Sequence, residues 1–407
     1  MRVLIVSPYP PSHTGPAQHC QLLARELARR GHEVEVLANA NQSPEGRSED
    51  RVTIVRGWHR GPHHVLGILA GARRTRAEVI HMNFTFTMYG GPVSALLAPW
   101  LVREMSRHRP VVVTLFDVLP IAEIDRATLD LYEAHLPPSL VRAGMRWVLR
   151  SVARHAERIV VQNAVVGEIL RKDYGVPPEK IVTTPCPVYP FSPPLPLRSG
   201  PPAHPSDPGV GLSPRRQVLC YGFLAPYKGI EVLLQALARV RGRVPPEMRT
   251  HLVIAGETHP RLRYDYRSTL ERLGQELGLT PEDVSFRGYV EDEEAIRLCV
   301  TSDAVILPYL RTTGASGTLA TAIGLARPVV VTHLSHLVDQ LGAYPAARVI
   351  PPGDVEEMAR VLTEIGSGAF VPRRPIPPGG SRAPATWGQL AQETIDLYRS
   401  VCAARAE

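Results

Sequence analysis

The sequence predicts an α/β protein made of two doubly wound, Rossmann-like domains facing each other across a cleft. Three observations predict it. Short β-branched runs alternate with amphipathic helical stretches along most of the chain, the pattern of parallel βαβ units. The 407 residues exceed what one ordinary core fills. The alternation breaks at a Pro-rich stretch, 187–215, and then begins again.

The first strand is Arg2–Ser7; its apolar run is too short for a signal peptide. Tyr9–Gly15 is a loop rich in Pro, Ser and Thr. His19–Arg30 sets Leu22, Leu23, Leu27 and Ala28 opposite Arg25, Glu26, Arg29 and Arg30, an amphipathic helix closed by Gly31. Glu33–Leu37 is the next strand. Thr14 and Gly15 therefore fall at the C-terminal end of the first strand, where open α/β sheets bind ligands; a plain connecting loop is the level alternative. The loop lacks GxGxxG, so no dinucleotide fingerprint is present. Strands continue at Arg51–Arg56, Glu78–His81, Pro110–Leu115 and Glu157–Gln162, and the first domain spans 1–186. The segment 187–215 cannot form a regular element and is read as an exposed linker.

The second domain, 216–385, opens with the strand Gln217–Tyr221, the loop Gly222–Gly229 and the helix Ile230–Val240. His251–Ala255 and Val284–Gly288 are strands around a long helix, Arg261–Leu277. Asp292–Thr301 starts with acids that suit a helix dipole. Asp354 caps a helix to Ile365, and a second Pro/Gly-rich segment, Val371–Pro384, precedes a terminal helix, Trp387–Ala404. That helix, within 386–407, is expected to pack back on the first domain.

The most informative stretch is Val305–Thr332. It reads as a strand, a loop of small and hydroxyl residues (Thr312 to Gly317), a short apolar helix from Thr318 and a second strand. Glycines admit close backbone approach, and the first amides of a helix lack internal partners. The Ser316–Thr318 amides thus offer an anion site, while an ordinary turn capped by Ser316 is the plain reading. Lys228, in a loop just before Gly229, reaches toward a cleft or is a solvated lysine before a helix. Asp117 follows a strand and acts as a base toward an acceptor hydroxyl or caps a turn. Glu257 holds a sugar hydroxyl or is a satisfied surface acid.

Composition narrows the partners. A formal charge of +7 favours anionic ligands without choosing among them. The five scattered cysteines, with no CxxC, fit a reducing cytoplasm better than secretion. His59, His63 and His64 lack metal spacing and read as a surface loop. No nucleic-acid motif is present. The uncharged run from Met82 to Val102 is broken by Gly90-Gly91-Pro92 and is not a membrane span. Arg142, Arg146, Arg150 and Arg154 recur every four residues: a solvated face, or a basic helix on the inner face of an anionic membrane.

The runs GFLAPYKGIEVLLQAL, VIAGETHP and LPYLRTTGASGTLATAIGLARPVVVT, preceded by TGPAQHCQLLARELARRGHEVEVL, resemble the retaining GT-B glycosyltransferases of family 4 (group 1). AEVIHMN, VVVTLFDVLP, RIVVQNAVVGEIL and TWGQLAQETIDLY match that family's order too. The resemblance implies sugar transfer with retention from a nucleoside diphosphate-sugar to an acceptor hydroxyl, on a polysaccharide, a lipid-linked glycan or a small molecule. No metal or other cofactor is implied.

It also implies site residues. Donor contacts fall on Gly222, Lys228, Glu257, His259, Tyr289, Val290, Thr313, Gly314, Ser316, Gly317, Thr318 and Thr321. Acceptor contacts fall on Thr14, Gly15, His81, Asn83 and Phe116, with Asp117 and Lys228 as the catalytic pair. The chain departs from the family's pattern in places. Thr313 and Thr321 stand where paired glutamates are usual, Phe116 replaces a histidine, and Phe223 replaces an arginine. The small-residue loop, Glu257-Thr258-His259-Pro260 and His336 resemble a divergent subgroup. The rival expectation is a protein of the same fold that binds a nucleotide-sugar without turnover; a phosphorylase or epimerase on this fold is a third.

Overall fold

The computed structural model describes all residues except 13, 41–46, 50, 132–135, 189–215, 261, 373–384 and 407. The Pro-rich segments at 187–215 and 371–384 lie almost wholly outside the described residues.

The first lobe runs β1 (Arg2–Val6), α1 (Gly15–Arg29), β2 (Glu33–Asn39), β3 (Arg47–Glu49), β4 (Val52–Trp58), α2 (His64–Arg74), β5 (Val79–Phe84) and α3 (Pro92–Ser106). It continues through β6 (Val111–Leu115), α4 (Arg126–Leu131), α5 (Pro138–His155), β7 (Arg158–Val161), α6 (Ala164–Lys172) and β8 (Ile181–Thr183). The strands form one sheet in the order β3-β4-β2-β1-β5-β6-β7-β8. All pairings are parallel except β3 on β4, a short antiparallel edge that the β-branched pattern did not reveal.

The second lobe runs β9 (Gln217–Tyr221), α7 (Ile230–Arg243), β10 (His251–Ala255), α8 (Tyr266–Glu276), β11 (Val284–Gly288), α9 (Asp292–Thr301) and β12 (Ala304–Leu307). It then adds α10 (Gly317–Gly324), β13 (Val329–Thr332), α11 (Ser335–Leu341), β14 (Ala347–Ile350) and α12 (Val355–Ser367). Its sheet is parallel throughout, in the order β11-β10-β9-β12-β13-β14. Each sheet is covered on both faces, which is why its strands are nearly continuous apolar runs.

The terminal helix α13 (Trp387–Ala406) leaves the second lobe and packs on α1. Trp387, Leu390, Ile395 and Tyr398 join the first lobe's core with Val3, Ile5 and Leu23.

Several boundaries move for local reasons. α1 begins at Gly15 rather than His19, because Thr14 Oγ1 accepts the Ala17 amide and Pro16 suits the first turn. α8 is shorter than expected, starting where Asp265 caps the Ser268 amide. His64 is not a surface-loop residue: it is the first residue of α2 and fully buried, with Nδ1 2.8 Å from the Gly61 carbonyl and its ring stacked on Tyr89.

The arginines of α5 also gain partners. The Nε groups of Arg142 and Arg150 donate to the carbonyls of Ile124 and Tyr174 at 2.9 and 2.7 Å, and that of Arg146 to Asp173 at 3.5 Å. Three of the four therefore strap neighbouring loops.

Candidate functional site

The C-terminal ends of both sheets point at one another, and loops from both lobes meet there. The second lobe contributes the charged groups. Lys228 is buried at the end of a short turn, Pro226–Lys228, and Gly229 follows it in a left-handed conformation (φ 65°). That turn brings the ammonium to the C-terminal end of the central strand β9, beside Gly222. A Cβ on Gly222, itself at φ 101°, would lie 3.0 Å from Lys228 Nζ and 3.3 Å from Thr318 Oγ1. Gly222 is therefore glycine for two reasons: its backbone angle, and the two polar groups that close over its bare α-carbon.

Nζ also lies 5.4 Å from the centre of the Tyr309 ring. Burial works against the lysine's charge, but the phenols of Tyr309 and Tyr227 outweigh it, and its pKa is raised. Lys228 is a cation at any physiological pH.

α10 starts beside it. Ser316 caps the helix through the Leu319 amide at 3.3 Å, as the plain reading of that turn has it. One expected anion donor is already engaged. The Ser316 amide gives its hydrogen to Gln340 Oε1 at 2.7 Å, and Gln340 Nε2 returns one to the Ser316 carbonyl at 2.8 Å. The amides left over for the expected anion are those of Gly317 and Thr318 at the first turn of α10, beside Lys228. A Cβ on Gly317 would meet nothing within 4 Å, so the space over this turn is open.

Thr321 is buried within α10 and its hydroxyl donates to the Gly317 carbonyl at 3.0 Å, so its hydrogen is committed inside the helix. Glu257 likewise has partners of its own. Its Oε1 receives the Tyr289 amide at 3.2 Å and pairs with Arg267 at 3.0 Å. It fixes the turn at Gly288 (φ 68°), where Tyr289 and Val290 begin, while its side chain stays 45% exposed. His259 packs its ring on Phe223 at 5.4 Å.

The first lobe faces these groups. Gly314 forms an antiparallel bridge with Asp117, and the Val118 amide donates to the Thr313 carbonyl at 3.0 Å. The strand ends carrying Phe116 and Asp117 are thus locked to the loop Thr312–Ser316, with Asp117 Oδ1 buried at the junction. Further contacts cross the cleft: Gln18 Nε2 to Asp292 at 3.0 Å, the Ala164 amide to Asp339 at 3.0 Å, and Arg311 to the Thr128 hydroxyl. The lobes are closed on one another. Asp292, which suits the dipole at the start of α9, is also an interlobe acceptor.

Thr14 and Gly15 stand exposed at the open N-terminus of α1. Two expected acceptor residues do not reach the cleft surface. His81 is buried, with one ring nitrogen on Tyr398 Oη and the other on Thr114 Oγ1 at 2.6 Å, so both are occupied in the core. Asn83 is buried too, its amide donating to Ser7 Oγ at 3.0 Å.

A residue that the sequence did not single out stands nearer. His19 on α1 meets the edge of Phe116 at 5.1 Å between ring centres and also touches Gln162 and Trp387. Its only sequence signal was its place one turn after the glycine loop.

Burial, and for His19 also the proximity of His81, lowers the pKa of His19 to about 3; burial lowers that of His81 to about 4. Both imidazoles are neutral when folded, whereas the unfolded chain binds their protons near pH 6.5. Their stabilisation is full above pH 6.5 and is lost as pH falls, toward 4 for His81 and toward 3 for His19. Unfolding free energy is expected to drop by about 1.4 kcal/mol per pH unit for each buried imidazole near pH 5. His81→Gln should lower stability near pH 7 and lose that deficit as pH falls toward 4, flattening the slope, read by denaturant titration at several pH values; an unchanged slope would show His81 to be uninvolved.

Among the described residues no group of three or more His, Cys, Asp or Glu could hold a metal ion. Nor is any helix among them long and apolar enough to cross a membrane.

Comparison with known proteins places these features in context. Residues 14–187 match the family described as glycosyl transferase 4-like domain, and residues 215–366 match glycosyl transferases group 1. An MMP alpha-(1->4)-mannosyltransferase of Mycolicibacterium hassiacum is 25% identical over 99% of both chains. Among solved structures, sucrose-phosphate synthase of Thermosynechococcus elongatus superposes with a TM-score of 0.69 at 16% identity, covering 99% of this chain and 100% of that one. Anabaena HepE in complex with UDP-glucose gives 0.62 at 15% identity, covering 100% and 99%.

Proposed function

The chain belongs to the group 1 glycosyltransferases with the GT-B fold, and from that premise we propose that it moves a sugar, with retention, from a nucleoside diphosphate-sugar to an acceptor hydroxyl. The observation that carries this reading is the convergence of Lys228 Nζ, Thr318 Oγ1 and the first turn of α10 over Gly222. A leaving diphosphate gains negative charge as the glycosidic bond breaks. A buried ammonium and two helix-terminal amides stabilise that charge better than they stabilise the intact donor. The reading needs no metal ion, because this lysine and the helix dipole supply the positive field.

The acceptor lies on the first-lobe side, against Phe116, Asp117, His19 and the α1 terminus. Its oxygen attacks the anomeric carbon on the face the phosphate is leaving. One C–O bond forms as the other breaks, and the acceptor proton passes to the departing phosphate oxygen. Asp117, at the closed junction, orients the hydroxyl. Tyr289 and Val290, held through Glu257, flank the base. The relative named as a mannosyltransferase supports sugar transfer, and the HepE complex with UDP-glucose supports a nucleotide-sugar donor. Five free cysteines suit a reducing, cytoplasmic setting.

The test is nucleotide release. The full chain is incubated with UDP-, GDP- and TDP-sugars, with and without sugar and lipid-linked acceptors. Release above the acceptor-free rate with one donor is expected. Binding without release across the panel would favour a non-catalytic nucleotide-sugar binder, the reading that Thr313, Thr321 and Phe116 would then explain.

A further inference from the structure

The steps β4 to β5, β5 to β6 and β6 to β7 all move the same way along the first sheet. Right-handed crossovers therefore lay α2, α3 and α5 side by side on one face, and α3 contacts both of the others. Their outer sides are unusually apolar. Leu66 is 67% exposed, Val93 56%, Trp100 42%, Leu140 57% and Trp147 53%, and Leu96 joins them. These are six of the twelve large apolar side chains exposed among the described residues. On α3 they recur at spacings of three and four, and on α5 at seven, so each helix presents one stripe while Val148, Leu149 and Leu101 face the sheet.

The same three helices carry seven arginines against a single carboxylate, Glu104, which is paired with Arg107 at 2.7 Å. In parallel βαβ units the helices run against the strands, so their N-termini lie at the cleft end. The apolar residues Val93, Leu96 and Leu140 sit there, and Arg73, Arg74, Arg103 and Arg154 occupy the far halves.

We propose that this face docks on an anionic lipid surface, with Trp100 and Trp147 at the headgroup level and the arginines on lipid phosphates. Tryptophan suits that interface because its ring is apolar and its N–H is not, and arginine adds attraction to anionic headgroups. A second copy pairing the same patch two-fold would set arginine against arginine, which the charge of the face disfavours. The inference deepens the transferase reading by setting the cleft mouth beside a membrane, where a lipid-linked acceptor is presented.

The probe is vesicle co-sedimentation of the full chain without any substrate, so its outcome is independent of the nucleotide-release assay. The wild-type chain is expected to pellet at low salt with phosphatidylcholine vesicles containing about one-third phosphatidylglycerol, and not with phosphatidylcholine alone. Trp100→Ser/Trp147→Ser and Arg103→Glu/Arg154→Glu should each partition at least about tenfold more weakly. Their unfolding midpoints report whether they fold. A wild-type chain that stays in the supernatant, folded variants that pellet as well as it does, or equal binding to neutral vesicles would overturn the proposal. So would a wild-type dimer in sedimentation velocity that the tryptophan variant abolishes while neither chain binds vesicles.

Discussion

Replacing Lys228 with methionine is expected to weaken nucleoside diphosphate binding by about 10- to 100-fold, and to lower turnover by more than the binding loss alone. The lysine is 7% exposed and closes over Gly222 with Thr318. A charge-assisted contact there is shielded from water and keeps its strength. Because the bridging phosphate becomes more negative as the sugar leaves, the missing cation costs more in the transition state than in the bound donor. Methionine keeps the stem's volume and removes a buried charge, so the unliganded fold should be as stable as before. Calorimetric titration and thermal shift separate the two effects: the variant should keep its own midpoint and lose the nucleotide-induced rise. Equal affinity in parent and variant would remove Lys228 from the phosphate site.

Much of this architecture could be read from letters because a parallel sheet covered on both faces demands it. Val111–Leu115 and Val329–Thr332 are β-branched through their length, and both become buried central strands. Asp354 and Ser316 were legible as caps because capping is a contact over three residues. The local geometry of the candidate site was legible where a tight loop or a helix end defines it, as at Gly222 and Gly317. It was not legible where a side chain reaches across sequence. Gln340 takes the Ser316 amide from 24 residues away. Tyr398 takes His81 from the far end of the chain, turning an expected acceptor contact into part of the core. The sequence pattern ends this strand at His81, whereas β5 runs on to Phe84 and places His81 in mid-strand, where Tyr398 and Thr114 take both ring nitrogens. Glu257 was open between ligand and surface acid, and Arg267 settles its partner without a signal in spacing.

Gly314→Ala should leave nucleotide affinity close to that of the parent yet lower kcat by more than about tenfold, because it acts on closure and not on the phosphate groups. A Cβ at this position would lie 2.0 Å from the Phe116 carbonyl oxygen and 3.2 Å from its carbon. Both are backbone atoms at the end of a central strand, so neither can swing aside. The loop must withdraw by an ångström or more, taking with it the Asp117–Gly314 bridge and the 3.0 Å bond from the Val118 amide to Thr313. Lys228, Gly317 and Thr318 all belong to the second lobe, so the diphosphate keeps its contacts while the acceptor side moves off. A methyl added at Gly274 in α8, where nothing lies within 4 Å, is the control for adding a methyl group to the same lobe. Small-angle scattering should show Gly314→Ala more extended than Gly274→Ala with nucleotide bound. If the two variants turn over alike and scatter alike, the bridge is incidental, and closure over the donor is set by the contacts of Gln18, Ala164 and Arg311 instead.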